Sequence, residues 1–103
     1  MKLVKIILFL LISFNTSLIA NSGDNVQSIL NKGGKLIFIR HAYAPGGGDP
    51  DNFDISNCVS QRNLNEEGIE QAKRIGKFFL GKNIIIDKIL SSEWCRCKQT
   101  AKY

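Results

Sequence analysis

The stretch that decides the predicted fold is Leu-Ile-Phe-Ile-Arg-His-Ala, residues 36–42. Four apolar residues lead directly into a cation, Arg40, and into His41, the one histidine of the chain. A short apolar run between turn-forming residues is typical of a strand that is buried on both faces, and here glycines precede the run and a proline–glycine stretch follows it. Such a strand would carry Arg40 and His41 to the carboxyl edge of a sheet, where open α/β folds bind their ligands.

Outward from this stretch, the pattern predicts a βαβ unit. The helix that follows is the clearest element, because its apolar residues recur at helical spacing and Asn65 stands where an N-cap is needed. A strand, a helix and a second strand predict a parallel pair with a right-handed crossover, and therefore an α/β fold class with a parallel-sheet βαβ core. The expected elements are a short helix over residues 25–31, a strand over 35–40, a long loop over 41–63, a helix over 65–80, a second strand over 84–90 and the start of a further helix over 94–103.

The first twenty residues have the layout of a secretory signal peptide. Lys2 and Lys5 give a basic start, residues 6–12 are an apolar run, and Ala20 is the small residue before the expected cleavage point. An uncleaved membrane anchor is the alternative, but the apolar run is shorter than the ~20 residues that a span needs. We therefore predict a secreted or periplasmic protein whose mature part, residues 21–103, has no stable membrane span.

Charge and cysteine content narrow the function classes. The formal net charge is +5 at pH 7, without a basic stripe, which gives little support for binding to nucleic acid. In an exported chain, Cys58, Cys95 and Cys97 favour one disulfide from Cys58 to either of the other two, and three free thiols are the alternative. No metal site is predicted, because the chain has a single histidine and no Cys-x-x-Cys pair.

Polar clusters close both predicted strands. Arg40 and His41 follow the first strand, and Ser92 and Arg96 follow the second, so in a parallel pair they should converge at one edge of the sheet. Two guanidinium groups, a serine and a helix N-terminus suit a phosphate group, and a neutral imidazole can attack phosphorus. Because adjacent strand residues point to opposite faces, Arg40 and His41 can share this pocket only if the backbone leaves strand geometry at His41 or Ala42.

Three pieces of the chain resemble motifs of the histidine phosphatase superfamily, which has the phosphoglycerate-mutase-like fold. Residues 40–42, Arg-His-Ala, resemble its Arg-His-Gly/Ala motif. Residues 64–72, which contain Leu-Asn-Glu-Glu-Gly and Gln-Ala, resemble its Leu-Thr-x-x-Gly…Gln-Ala helix start. Residues 92–101 resemble its Ser-Pro-x-x-Arg-x-x-Glu/Gln-Thr-Ala segment, with Glu93 in the place of the proline.

The resemblance implies phosphoryl transfer on a phosphorylated small molecule. His41 would attack the phosphoryl group and carry it as phosphohistidine, Arg40 and Arg96 would clamp its equatorial oxygens, and water would hydrolyse the intermediate. The resemblance implies neither a metal ion nor an organic cofactor. The candidates for contacts with the substrate are Ser92, Arg62 and Asn63.

The family pattern also includes parts that these residues do not supply. It contains a second pocket histidine and usually a carboxylic acid that protonates the leaving oxygen. We therefore expect residues 21–103 to be the N-terminal half of such a domain, truncated after the second strand and the start of the next helix, with the rest of the site absent or supplied by another chain. Two functions stay open. One is phosphomonoester hydrolysis in the cell envelope, with this fragment itself inactive, and the other is a non-catalytic fragment or pseudoenzyme that at most binds phosphate.

Overall fold

The computed structural model of the chain describes residues 22–103, and it is helical there. Its elements in chain order are α1 (Ser22–Leu30), one 3₁₀ turn (Cys58–Ser60), α2 (Glu66–Gly81) and α3 (Cys95–Lys102). The predicted signal peptide, residues 1–20, lies outside the described residues. Within the described part, no helix is both long enough and apolar enough to cross a membrane.

Helix α2 follows its sequence prediction closely. Asn65 caps it, because its side-chain oxygen accepts the N–H of Gly68 at 2.9 Å and so satisfies a first-turn donor that has no partner inside the helix. Glu66 and Glu67 lie in the first turn, where the helix dipole favours negative charge. The helix predicted over residues 65–80 is therefore confirmed to within one residue at each end.

Helix α3 is also confirmed, since the helix start predicted over residues 94–103 appears as Cys95–Lys102. Its cap residue, Trp94, makes no side-chain capping bond. The N–H of Cys95 instead donates to Oε1 of Gln61 at 2.9 Å. A glutamine from the loop before α2 thus satisfies one of the N–H groups that the start of α3 leaves without a partner.

The long loop before α2 is fastened by its own side chains. Gln61 is buried, and its Nε2 donates to the carbonyl oxygens of Asp54 and Ile55, each at 2.9 Å. A disulfide joins Cys58 in this loop to Cys95 in the first turn of α3. The loop is therefore tied to α3 by one covalent bond and by one buried side chain.

The predicted α/β class and its parallel βαβ core are wrong for the described part of the chain. Residues 35–40 and 84–90, the two expected strands, contain no strand, and no backbone hydrogen bond joins one to the other. Phe38 is 90% exposed and Ile85 is 84% exposed. A pair of parallel strands gains stability only where other layers cover both of its faces. An apolar run predicts burial, but of the residues in these two runs only Ile84 is buried among the described residues.

Helix α1 is joined to the end of α2. Nε2 of Gln27 donates to the carbonyl oxygen of Lys82 at 2.8 Å. Gly33 has a φ of +69° and donates its N–H to the carbonyl of Leu30 at 3.0 Å, so a glycine ends the turn after α1. The helix begins three residues earlier than the predicted range of 25–31.

Candidate active site

The residues after His41 form the centre of a small apolar core. Ala42 and Ala72 are each 1% exposed, and Ala44 is also buried. Leu64 belongs to the same core, and Ile69 of α2 packs against it. The small alanine side chains let the segment after His41 lie directly on α2, so the position of His41 is set by the packing of its neighbours.

Side chains from α2 and α3 hold the backbone of this segment. Thr100 of α3 accepts the N–H of Ala42 at 2.9 Å through Oγ1, and its hydroxyl donates to the carbonyl of Arg96 at 2.7 Å. Gln71 of α2 accepts the N–H of Tyr43 at 2.7 Å through Oε1. The three pieces of sequence that resembled one family's motifs therefore meet at adjacent backbone N–H groups.

The imidazole of His41 is half-buried and has a defined orientation. Its Nδ1 lies 2.7 Å from the carbonyl oxygen of Ala42. A carbonyl oxygen can only accept, so Nδ1 carries the proton of the neutral ring and Nε2 carries the lone pair. His41 is thus held as a tautomer whose Nε2 can act as a nucleophile.

A cleft with a volume of about 440 Å³ opens beside this ring. It contains two guanidinium groups and no carboxylate among the described residues that line it. Such a lining favours an anion with several oxygen acceptors, because guanidinium groups present paired N–H donors. The lining residues are Arg40, His41, Ala42, Tyr43, Ala44, Gly46, Arg62 and Gln71.

Arg40 and His41 line the same cleft, as the predicted pocket requires. The residues around them do not form a strand. Arg40 and His41 are therefore not forced to point to opposite faces, as adjacent residues of a regular strand are. Arg40 is exposed and makes no hydrogen bond or ion pair with the part of the chain that the structure describes. Its guanidinium can therefore turn toward a bound anion without breaking an existing bond.

Arg62 is the second cation of the cleft, and it is fixed at two points. Its Nη1 donates to the carbonyl of Ala44, and its backbone N–H donates to Oδ1 of Asp49 at 2.8 Å. Its Nε is buried without a hydrogen-bond partner. The prediction that Arg62 contacts the substrate stays a prediction, and its position in the cleft fits that role.

Arg96 does not line the cleft, although the sequence predicts that it clamps phosphate beside Arg40. Its side chain is buried, and Nη1 donates to Oδ1 of Asp49 at 3.0 Å and to the carbonyl of Arg62 at 3.3 Å. Its guanidinium carbon lies 4.3 Å from the centre of the Trp94 ring. Arg96 is therefore engaged in an ion pair and a cation–π contact behind the cleft wall.

Asp49 joins Arg62 and Arg96, two of the three arginines that the sequence proposes for the site. The hydrogen bond from the Arg62 backbone N–H lowers the pKa of the Asp49 carboxyl, burial opposes this by raising it, and the hydrogen bond and charge of Arg96 lower it further. The net effect keeps the carboxylate ionised. The sequence shows Asp49 only as one of three aspartates in a glycine-rich loop, so nothing in the local pattern identifies it as the acceptor for both arginines.

The remaining predicted contacts lie away from the cleft lining. Ser92 is exposed, and Asn63 donates Nδ2 to the carbonyls of Cys58 and Gln61. Cys97, the third cysteine, is free and half-buried. Among the described residues, no group of three His, Cys, Asp or Glu side chains is placed to hold a metal ion.

The model of the histidine phosphatase superfamily (branch 1) matches residues 36–103 of this sequence. The chain belongs to this superfamily. No curated protein and no solved structure matches the chain. Membership in the histidine phosphatase superfamily indicates phosphoryl transfer through a histidine and a phosphorylated substrate. His41 is the one histidine of this sequence.

Proposed function

We propose that the site hydrolyses phosphomonoesters through a phosphohistidine intermediate on His41. The observation that carries the proposal is the orientation of His41, with Nδ1 bonded to the Ala42 carbonyl and the ring beside a cleft that contains two arginines. This arrangement places a nucleophilic nitrogen next to donors that favour the phosphate oxygens.

The reaction has two steps. Nε2 of His41 attacks phosphorus, a nitrogen–phosphorus bond forms, and the phosphorus–oxygen bond to the leaving group breaks. Arg40 and Arg62 stabilise the negative charge on the equatorial oxygens during transfer. Water then attacks phosphorus, the nitrogen–phosphorus bond breaks, and orthophosphate leaves while the imidazole returns to its neutral form.

The alternative is a site that binds phosphate without turnover. It is favoured by one specific observation, which is that no carboxylic acid is found among the described residues that line the cleft. An alkoxide leaving group needs a proton donor in this reaction. The substrate for the test is therefore p-nitrophenyl phosphate, whose leaving group is a stabilised anion that departs without a donor.

The test measures release of p-nitrophenolate by the full 103-residue chain and by His41→Ala. The sequence predicts an inactive fragment, but release of p-nitrophenolate needs no proton donor, so we expect slow turnover in the parent chain and none in the variant, together with an acid-labile, base-stable phosphoryl label. Because the chain has one histidine, such a label can lie only on His41. Binding of orthophosphate without turnover or label would support the alternative, and absence of both would refute the two functions together. Circular dichroism of His41→Ala checks that the variant is folded.

We further propose that the protein works outside the cytoplasm. The support is the pattern of residues 1–20, together with a Cys58–Cys95 disulfide of the kind that persists in oxidising compartments. Mass spectrometry of the exported protein should find a new N-terminus at Asn21. Full-length protein retained in the cytoplasm with three reactive thiols would contradict this location.

A further inference from the structure

Asp49 makes contacts that the proposed reaction does not use. It lies in the glycine-rich part of the loop, and its side chain is only 13% exposed. A single oxygen, Oδ1, accepts the backbone N–H of Arg62 at 2.8 Å and Nη1 of Arg96 at 3.0 Å. Both donors are directed at one carboxylate oxygen, although the loop around it has no regular secondary structure.

The consequence of these contacts appears at Arg62. Asp49 fixes the backbone of Arg62, and the Ala44 carbonyl fixes its guanidinium through Nη1. Arg62 and Ala44 both line the cleft beside His41, whereas Asp49 does not. The position of one cleft cation is therefore set by a carboxylate that stands outside the cleft.

The positive charge of Arg96 explains why a carboxylate suits the position of Asp49. It is buried beside Asp49 and belongs to α3, the helix that also holds the backbone after His41 through Thr100. The ion pair connects Asp49 to the helix that positions His41. Helix α3 therefore positions both Arg62, through Asp49, and His41, through Thr100.

We propose that Asp49 is a positioning residue that holds Arg62 in place to bind the phosphoryl oxygens. This positioning role rests on the proposed function in one respect, which is that the ligand of Arg62 is a phosphoryl anion. Asp49 acts through Arg62 and touches no reacting atom. Its removal should weaken anion binding only while Arg62 is present, which separates this role from a general contribution to stability.

The test measures the affinity of the full chain for orthophosphate by isothermal titration calorimetry. We expect Asp49→Ala to weaken binding about 10-fold, because it frees the backbone of a cation that contacts the anion. In an Arg62→Ala background, we expect the same change to have almost no further effect. Asp49→Asn keeps an oxygen acceptor for the Arg62 N–H and should weaken binding by only about 3-fold.

Asp54→Ala is the matched control, because Asp54 lies in the same loop and its carboxylate bonds only to Ser56. We expect its affinity for orthophosphate to stay within about 2-fold of the parent chain. If Asp49→Ala fails to fold, the same double-mutant cycle is measured with Asp49→Asn. The loss of orthophosphate affinity in Asp49→Asn should disappear in the Arg62→Ala background. A loss that persists without Arg62, or no loss at all, would overturn the positioning role.

The outcomes also separate this proposal from the proposed hydrolysis. If orthophosphate binds and the cycle is non-additive but p-nitrophenyl phosphate is not turned over, the hydrolytic function fails and the positioning role stands. If turnover is found and Asp49→Ala changes neither orthophosphate affinity nor KM, the positioning role fails and the function stands. A parent chain that binds no orthophosphate overturns the positioning role, and hydrolysis is then decided by turnover of p-nitrophenyl phosphate alone.

Discussion

Residues 36–39 and residues 42–44 belong to one continuous stretch of sequence, yet their surroundings are opposite. Leu36 is 85% exposed, whereas Ala42 is 1% exposed. Side chains of α2 and α3 accept two backbone N–H groups of the second segment, and among the described residues no hydrogen bond holds the first. Contacts from distant helices, and not the apolar character of a segment, therefore determine which part of this chain is held in place.

The same contrast explains how a site can be ordered without the expected sheet. The carboxyl end of a parallel strand was the predicted support for Arg40 and His41. In the structure, Thr100 and Gln71 provide that support from α3 and α2. The contacts that hold residues 42–44 can be removed one at a time. Each removal should make residues 42–44, the held segment, behave more like the exposed residues 36–39.

The Cys58–Cys95 disulfide should have the largest effect. It joins cysteines that are 37 residues apart, so its loss through Cys58→Ser should lower the free energy of unfolding by about 3–4 kcal/mol, because the unfolded chain regains the freedom of that loop. Urea denaturation followed by circular dichroism measures the change. Hydrogen exchange should show the amides of Ala42 and Tyr43 approaching the rate of Phe38.

Cys97→Ser is the matched control for this change, because Cys97 is free and lies two residues after Cys95. Its free energy of unfolding should stay within about 0.5 kcal/mol of the parent chain. Equal losses in the two variants would mean that the loss does not come from the disulfide that joins the loop to α3.

A substitution at Gly68 should have the next largest effect, because α2 packs tightly against the held segment at this position. A Cβ at Gly68 would collide with the backbone carbonyl of Tyr43. Gly68→Ala should therefore cost about 2 kcal/mol in unfolding free energy, since the backbone beside the histidine has to move. Gly81→Ala is the control, because no atom lies within 4 Å of its added Cβ. Denaturation should find it neutral or slightly stabilised, because alanine favours a helix more than glycine does. A loss of similar size at both glycines would mean that the collision with Tyr43 is not its cause.

Much of this arrangement could be predicted from sequence, and the part that could be predicted is local. Asn65 and the two glutamates after it specify the start of α2, because capping and the helix dipole act over a few residues. The glycine after α1 was predictable for the same reason. Family membership and the place of His41 also followed from short motifs, which the superfamily match over residues 36–103 supports.

The errors concern contacts between distant residues. The sequence does not show which layer covers an apolar run. It therefore predicts strands over residues 35–40 and 84–90, although only Ile84 of these runs is buried among the described residues. It also does not show that Asp49 takes Arg96 as its partner, 47 residues away, because charge spacing indicates pairs only within a helix or a strand. The position of Arg96 behind the cleft follows from that long-range ion pair.

Thr100 should have the smallest of the three effects and gives the sharpest test of how the segment is held. Thr100→Val keeps the shape of the side chain but leaves the Ala42 N–H without its acceptor, at a cost of about 1–2 kcal/mol in unfolding free energy. Thr100→Ser keeps the hydroxyl and should cost less than Thr100→Val. Hydrogen exchange should rise at Ala42 in the valine variant while the Tyr43 amide, held by Gln71, stays protected. If both amides exchange together, the two helices hold the segment as one cooperative unit, and the contact through Thr100 is not a separate support.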